Sequence, residues 1–327
     1  MRILIFISWP VKAWCIPDAH VEALREQFPN AEFVYARTRE EAAEGVRDVD
    51  VAFTPFLTPE MVASAPRLRW VHSSAAAVEG LLPLGDLARR EITVTNSRGV
   101  QAIPIAEHVM GGLLVLARKF DRMLDAQRER RWIQNDLCDD WPWLLHGKRM
   151  TIVGLGTIGI EVAKRAHAFG MKVTGVRRRA DQPRPRFIDR VVGTDALNDS
   201  LTGCDVLVLS APGVAATAGM IGAEQLALLA PHAVLVNVAR GPVVHEDALL
   251  RALQNGQLGG AVLDVFHREP LPADDPLWSM PNVVVTPHSS GFRASHWDEV
   301  VALFADNLRR HRRGRPLRNQ VDLAAGY

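Results

Sequence analysis

The segment Met150-Thr-Ile-Val-Gly154-Leu-Gly156-Thr-Ile-Gly159 constrains this chain more than any other. In it an apolar, β-branched run passes straight into a glycine pattern and then into a helical segment, Ile160 to Phe169. A lone G-x-G-x-x-G arises by chance in many loops, but between a strand and a helix it is the fingerprint of a dinucleotide site. Gly154 permits the tight turn, Gly156 lets a pyrophosphate approach the backbone, and Gly159 lets the helix pack closely on the strand. The N-terminus of the helix that follows faces the anion. Gly170 reads as the helix stop.

A carboxylate usually stands about 20 residues beyond such a fingerprint, where it holds the adenosine ribose hydroxyls. Here the second strand, Lys172 to Val176, is followed by Arg177, Arg178 and Arg179. A carboxylate would repel a 2′-phosphate, whereas a guanidinium can bind one bidentately, so Arg177 and Arg178 point to NADP over NAD, with NAD still possible.

At 327 residues the chain is longer than most single domains, so two units are expected. Lys+Arg 38 against Asp+Glu 37 gives a formal charge of +1, which offers no global field for nucleic acid or an acidic membrane. The basic run Arg309-Arg-His-Arg-Arg313 reads as the solvated end of a helix. Cys15, Cys138 and Cys204 are far apart, with no C-x-x-C and no zinc spacing, which fits a reducing compartment and no bound metal. Met1 to Ile7 is too short for a secretory core, and no apolar stretch approaches the roughly 20 residues that span a bilayer. A cytoplasmic protein is the expectation.

Short β-type runs alternate with helical segments from end to end: Ile3 to Ile7, Asp50 to Thr54, Leu68 to Val71 and Ile92 to Thr95 before the fingerprint, then Asp205 to Ser210, Ala233 to Val238, Gly260 to Asp264 and Val283 to Thr286. The alternation predicts an α/β protein with parallel sheets and helices on both faces. Pro104 suits a helix N1 position, and Ile105 to Arg118 is apolar nearly all round, with Gly111-Gly112 allowing close approach.

Pro212, Arg240-Gly241, Asp264-Val-Phe266 and Pro287-His288 lie at or just beyond strand C-terminal ends, the edge where open α/β sheets bind ligands. Hydride transfer to a keto acid needs such a set. His288 can donate a proton to the carbonyl oxygen, Glu269 can hold the imidazole, and Arg240 can bind the carboxylate and polarise the carbonyl. Singly, each residue has an ordinary explanation: an ion-pair arginine, a loop carboxylate, a turn histidine, an aspartate capping a turn.

Together these segments closely resemble the D-isomer-specific 2-hydroxyacid dehydrogenases. The resemblance rests on Thr151 to Gly159, Val236-Asn-Val-Ala-Arg-Gly241, Ala261-Val-Leu-Asp-Val-Phe266 with Glu269-Pro-Leu271, Pro276-Leu-Trp278 and Thr286-Pro-His288. Asn96, Ala106-Glu-His108, Asn307-Leu308 and Gly314-Arg-Pro-Leu317 extend it over most of the chain. It implies a Rossmann cofactor domain, 98–291, inserted into a flavodoxin-like substrate domain made of 1–97 and 292–327, both doubly wound on parallel sheets. It implies Arg240 as substrate anchor, Glu269 as support of the catalytic His288, and Asp264 on the nicotinamide side, with Thr157, Ile158, Pro212 and Val238 lining the cofactor's path. Glu269 in place of the glutamine of formate dehydrogenases implies 2-keto acid reduction, and the arginines after Val176 resemble the NADPH-preferring glyoxylate and hydroxypyruvate reductases. Ala75 and Ala76 stand in Ser73-Ser-Ala-Ala-Ala77, where many members have a glycine-rich turn whose N–H groups hold the substrate carboxylate; this departure leaves substrate choice open.

A homodimer is the family's usual state, and the tryptophan-rich Arg131 to Trp143 suits either a dimer interface or a partner's pocket. The alternatives are a dinucleotide-sensing, corepressor-like binding protein on the same fold, or an NAD-dependent D-2-hydroxyacid dehydrogenase of other specificity.

Overall fold

Twelve short strands form two separate sheets in the computed structural model, which describes residues 1–326. The first contains β1 (Arg2–Ile5), β2 (Glu32–Tyr35), β3 (Val51–Phe53), β4 (Trp70–Ser73) and β5 (Thr93–Asn96) in the order β2-β1-β3-β4-β5. The second contains β6 (Arg149–Val153), β7 (Lys172–Val176), β8 (Arg190–Val192), β9 (Val206–Leu209), β10 (Val234–Asn237), β11 (Gly260–Leu263) and β12 (Val283–Val285) in the order β12-β11-β10-β9-β6-β7-β8. Every pairing in both sheets is parallel. These are two doubly wound α/β sheets, the first with flavodoxin-like order and the second with Rossmann order extended by one strand.

The chain divides into two units, Ala102–Gly291 and the remainder before and after it. The first crossing falls at Gln101 rather than near Ser97, because Arg98 and Val100 are tied into the five-stranded unit. Asn319 Nδ2 donates to the Arg98 carbonyl at 2.8 Å, and Arg293 donates to the Val100 carbonyl at 2.7 Å.

In the five-stranded unit, alternate residues face opposite layers, as a pleated strand requires. Ile3, Ile5, Val51, Phe53 and Trp70 pack with Val21 and Leu24 of the helix Asp18–Gln27 and with Val300, Phe304 and Leu308 of the helix His296–Arg312. Leu4, Ala52, Val71 and Val94 face the other layer with Ala42, Met61 and Leu87. Phe304 stacks on Phe53 with centroids 4.1 Å apart, both fully buried. Burying each such ring contributes about 1.5–3 kcal/mol, so the C-terminal helix is part of this core. Its basic end, Arg309 to Arg313, lies at the surface and includes pairs to Gln27 and Asp306.

In the seven-stranded unit, Met150, Ile152, Val206, Val208, Val236 and Val262 pack under the helices Ala102–Arg118 and Thr157–Ala168. The former helix starts two residues before Pro104, which therefore sits inside its first turn, where a missing N–H is tolerated. Only Gly112 of the glycine pair meets close packing: a Cβ there would lie 2.5 Å from Val262 Cγ1, whereas Gly111 faces open space. No helix among the described residues is long and apolar enough to cross a membrane.

Candidate active site

The seven-stranded sheet reverses its winding between β6 and β9, and the loops after these strands meet there. Gly154 has φ +100°, and a Cβ on it would lie 2.5 Å from the Ala211 amide nitrogen. A side chain at Gly159 would lie 2.1 Å from the Gly154 carbonyl oxygen, so the helix Thr157–Ala168 seats on the loop only with hydrogen at that position. Ser210 Oγ donates to the same carbonyl at 2.8 Å and ties the two loops together.

These residues fit a dinucleotide pyrophosphate. Gly156, the N-cap of a 12-residue helix, carries no side chain, and a Cβ there would meet nothing within 4 Å. The first-turn N–H groups of Thr157 and Ile158 have no partner among the described residues, so they are available to an anion at the positive end of the helix. Helix geometry begins at Thr157, three residues before the apolar run suggested, because the last part of the glycine loop is already the first helical turn.

After β7, Arg177 is half-buried while Arg178 and Arg179 are exposed. The Arg177 guanidinium folds back to donate to the carbonyls of Gln182 and Pro183, closing its own loop. Pro212 follows β9 and is half-buried, with its carbonyl accepting from Thr217 Oγ1 at 2.6 Å; Val238 follows β10 and is buried.

Arg240 is exposed at the end of β10, on a turn shaped by Asn237. The Asn237 side chain donates to the Arg240 carbonyl at 3.1 Å and accepts from the Ala239 N–H at 3.0 Å. The aliphatic stem of Arg240 rests on Gly213, where a Cβ would be 2.3 Å from Arg240 Cγ. One Nη donates to the Ala239 carbonyl at 2.7 Å; the rest of the guanidinium has no partner among the described residues.

His288 follows β12 with φ +50°, a left-handed conformation that costs a non-glycine residue on the order of 1–2 kcal/mol. Asp264 holds it there. The His288 N–H donates to the Asp264 carbonyl at 3.0 Å, while the buried Asp264 carboxylate accepts from Thr286 Oγ1 at 2.6 Å and from the N–H groups of Ser289 and Ser290 at 2.9 and 3.0 Å. His108, on the helix Ala102–Arg118, reaches Thr286 Oγ1 at 3.1 Å. Asp264, which the resemblance places on the nicotinamide side, engages the turn that carries His288 through both carboxylate oxygens.

Glu269 Oε2 accepts from His288 Nδ1 at 2.7 Å, while its Oε1 accepts from the Phe266 N–H at 3.0 Å. With Glu269 pinned and Nδ1 used, Nε2 is the ring nitrogen left for chemistry. The imidazole is about half-exposed. Along the edge from β12 to β7 the order is His288, Asp264, Arg240, Pro212, the glycine loop and the arginines. His288 and Arg240 sit two strands apart, about 10 Å across the sheet.

Ala75 and Ala76 lie in the five-stranded unit, beyond β4. Ala75 uses both its backbone groups locally, its N–H on Ser73 Oγ at 3.2 Å and its carbonyl on the Ser97 N–H at 3.1 Å. The Ala76 carbonyl accepts from Asn96 Nδ2 at 2.6 Å. Ala76 is exposed and its N–H donates to no group among the described residues, so of the two alanines only Ala76 has an amide to offer a ligand.

Ser210 and Asn237 carry no chemistry of their own and were not apparent as site residues in the sequence. A hydroxyl ending a strand beside the fingerprint was the available signal for the first, and the asparagine opening the N-V-A-R-G motif for the second.

Residues 110–290 match the family model described as D-isomer specific 2-hydroxyacid dehydrogenase, NAD binding domain. A glyoxylate reductase of Pyrococcus furiosus is 33% identical over 310 residues, covering 91% of this chain and 90% of the relative. Glyoxylate/hydroxypyruvate reductase B of Yersinia enterocolitica is 35% identical over 247 residues, 75% of this chain and 74% of the relative. Among solved structures, a D-isomer specific 2-hydroxyacid dehydrogenase of Xanthobacter autotrophicus, in complex with NADPH and MES, superposes with a TM-score of 0.81 at 31% identity, covering 99% of each chain.

Proposed function

The chain belongs to the D-isomer-specific 2-hydroxyacid dehydrogenase family, and on that premise we propose that it is an NADPH-preferring reductase of small 2-keto acids, of the glyoxylate or hydroxypyruvate kind. The observation that carries this reading is the His288–Glu269 pair at 2.7 Å, on the same sheet edge as Arg240 and the glycine loop. Bound NADPH supplies the hydride for the keto carbon. His288 Nε2 gives its proton to the keto oxygen, so the product is the 2-hydroxy acid, and Glu269 holds the ring through Nδ1. Arg240 takes the substrate carboxylate and draws charge from the carbonyl. The Ala75–Ala76 loop, through the Ala76 N–H, is assigned to binding of a substrate carboxylate.

Gly154, Gly156, Thr157, Ile158 and Gly159 cradle the pyrophosphate, Pro212 and Val238 line the path, and Asp264 supports the His288 turn. Arg177 and Arg178 are assigned to the 2′-phosphate. Arg177 also closes the loop to Gln182 and Pro183, so a substitution there would disturb that loop as well. Arg178→Asp should shift the NADPH over NADH ratio of kcat/KM by roughly tenfold to a hundredfold towards NADH, the range for a lost charge-assisted hydrogen bond. A panel of 2-keto acids run with both cofactors tests the whole reading. Tight cofactor binding with no oxidation on any keto acid would leave a sensing protein; equal use of both cofactors by the wild type would remove the 2′-phosphate assignment.

Cys15, Cys138 and Cys204 are all free thiols, which suits the proposed cytoplasmic location. Trp132, Trp141 and Leu144 are 89%, 68% and 62% exposed, apolar area that a second copy of the chain would cover. Sedimentation at micromolar concentration should give a dimer, and a monomer there would rule out that pairing.

A further inference from the structure

Inside the five-stranded unit, His72 on β4 is an ionisable side chain with no exposed surface and no role in the proposed reaction. It lies among Phe53, Trp70 and Phe304, whose ring centroids are 5.4, 6.1 and 5.5 Å away. An apolar residue would fill that space at no desolvation cost, whereas a buried imidazole is tolerated only when its nitrogens are hydrogen-bonded.

Both nitrogens are placed for that. Nδ1 lies 2.7 Å from Thr95 Oγ1, and Nε2 lies 3.4 Å from Ser97 Oγ. Thr95 Oγ1 accepts from Trp70 Nε1 at 2.8 Å, and Ser97 Oγ donates to the Ser73 carbonyl at 2.9 Å. Each hydroxyl has a single proton, so the direction of the chain follows. Trp70 N–H donates to Thr95, Thr95 O–H to Nδ1, Nε2–H to Ser97, and Ser97 O–H to the Ser73 carbonyl. Only a neutral imidazole protonated on Nε2 satisfies every member. Burial pushes the His72 pKa down to about 3, so the ring keeps that form at any working pH.

The chain ends where the loop begins. Ser73 is the last residue of β4, and its Oγ also accepts the Ala75 N–H; Ser97 and Asn96 hold the Ala75 and Ala76 carbonyls. The peptide groups around Ala76 are thereby fixed, and its own N–H is left over.

We propose that the buried Trp70–Thr95–His72–Ser97 chain orients the Ser73–Ala77 loop for the substrate carboxylate, making His72 and Ser97 positioning residues that set keto-acid affinity. The inference rests on the assignment of the Ala76 N–H to that carboxylate.

The test is steady-state kinetics on the full chain with NADPH and the keto acid of the panel that turns over fastest. Ser97→Ala should raise the keto-acid KM roughly three- to tenfold, the effect of one lost hydrogen bond, with kcat and the NADPH KM within twofold of wild type. His72→Asn, which can replace Nδ1 but cannot reach Ser97, should behave like Ser97→Ala. His72→Gln, which can place an N–H near the Nε2 position, should restore KM towards wild type, a rescue that a general loss of core stability would not produce. Ala76→Pro removes the N–H itself and should raise KM at least as much.

If Ser97→Ala and His72→Asn leave KM unchanged, or lower kcat alone, while Ala76→Pro raises KM, the positioning role is overturned and the loop assignment stands. If Ala76→Pro leaves KM unchanged, the carboxylate assignment fails and the inference fails with it. Should the His72 variants not fold, Ser97→Ala against Ala76→Pro decides.

Discussion

His288→Asn should lower kcat by on the order of a hundredfold to ten-thousandfold, the usual contribution of a positioned general acid, while the NADPH KM changes little. Asparagine is the informative replacement because the position is left-handed, φ +50°, and asparagine enters that region more readily than alanine. A loss of activity is then due to the missing imidazole and not to a displaced turn. Three features of the site make the effect large. Asp264 holds the backbone of the 286–290 turn through its carbonyl and both carboxylate oxygens. Glu269 is held by the Phe266 N–H before it engages the ring. With Nδ1 of His288 on Glu269, its Nε2 is the nitrogen left for the substrate. Keto-acid reduction at the wild-type kcat in His288→Asn would remove His288 from the reaction.

Arg240→Lys should lower kcat/KM for the keto acid by about a hundredfold to a thousandfold, the range for losing one preorganised donor at a developing oxyanion, with NADPH affinity retained. Charge is kept in this variant, so the loss measures the planar fork. The structure argues for a fork because one Nη is already bound to the Ala239 carbonyl at 2.7 Å and the stem is laid against Gly213. What remains is a guanidinium edge of fixed orientation, which an ammonium on a flexible stem does not reproduce. Arg240→Gln should be worse than lysine, since it removes the charge as well. A lysine variant within tenfold of wild type would show that Arg240 acts as a point charge or not at all.

Most of the fold is legible in the sequence because parallel strands buried on both faces are written as continuous apolar runs. Two of the four edge strands, β2 and β8, are the exception. β2 pairs only with β1 and β8 only with β7, and neither Glu32–Tyr35 nor Arg190–Val192 is buried throughout, so their patterns are too weak and too short to stand out. β4 shows a second limit. Its apolar run ends at Val71, yet the strand continues to Ser73, because His72 and Ser73 are buried in hydrogen bonds to β5 and to the residue that follows it. Hydropathy cannot register a polar residue satisfied inside a core.

The candidate site divides in the same way. Which strand end carries which residue follows from position in the chain, and the order along the sheet edge follows from the winding. The use of each group does not. An aspartate ending β11 reads as a turn cap or a cofactor contact, and only the coordinates show its carboxylate accepting three hydrogen bonds from the His288 turn. Arg177, similarly, reads as a phosphate ligand, and only the coordinates show that its guanidinium also donates to the carbonyls of its own loop.

The stacking of Phe53 on Phe304 also bears on how the chain acquires its shape during synthesis. A ribosome delivers β1 to β5 first, and the aromatic face around Phe53, Trp70 and His72 stays uncovered until Phe304 emerges. The unit from Ala102 to Gly291 is continuous and has its whole core in hand before that point. It can mature while the earlier-made sheet still waits with an open apolar surface. While that unit is being translated the five-stranded sheet therefore keeps an apolar face open, and the helix His296–Arg312, made after it, closes that face.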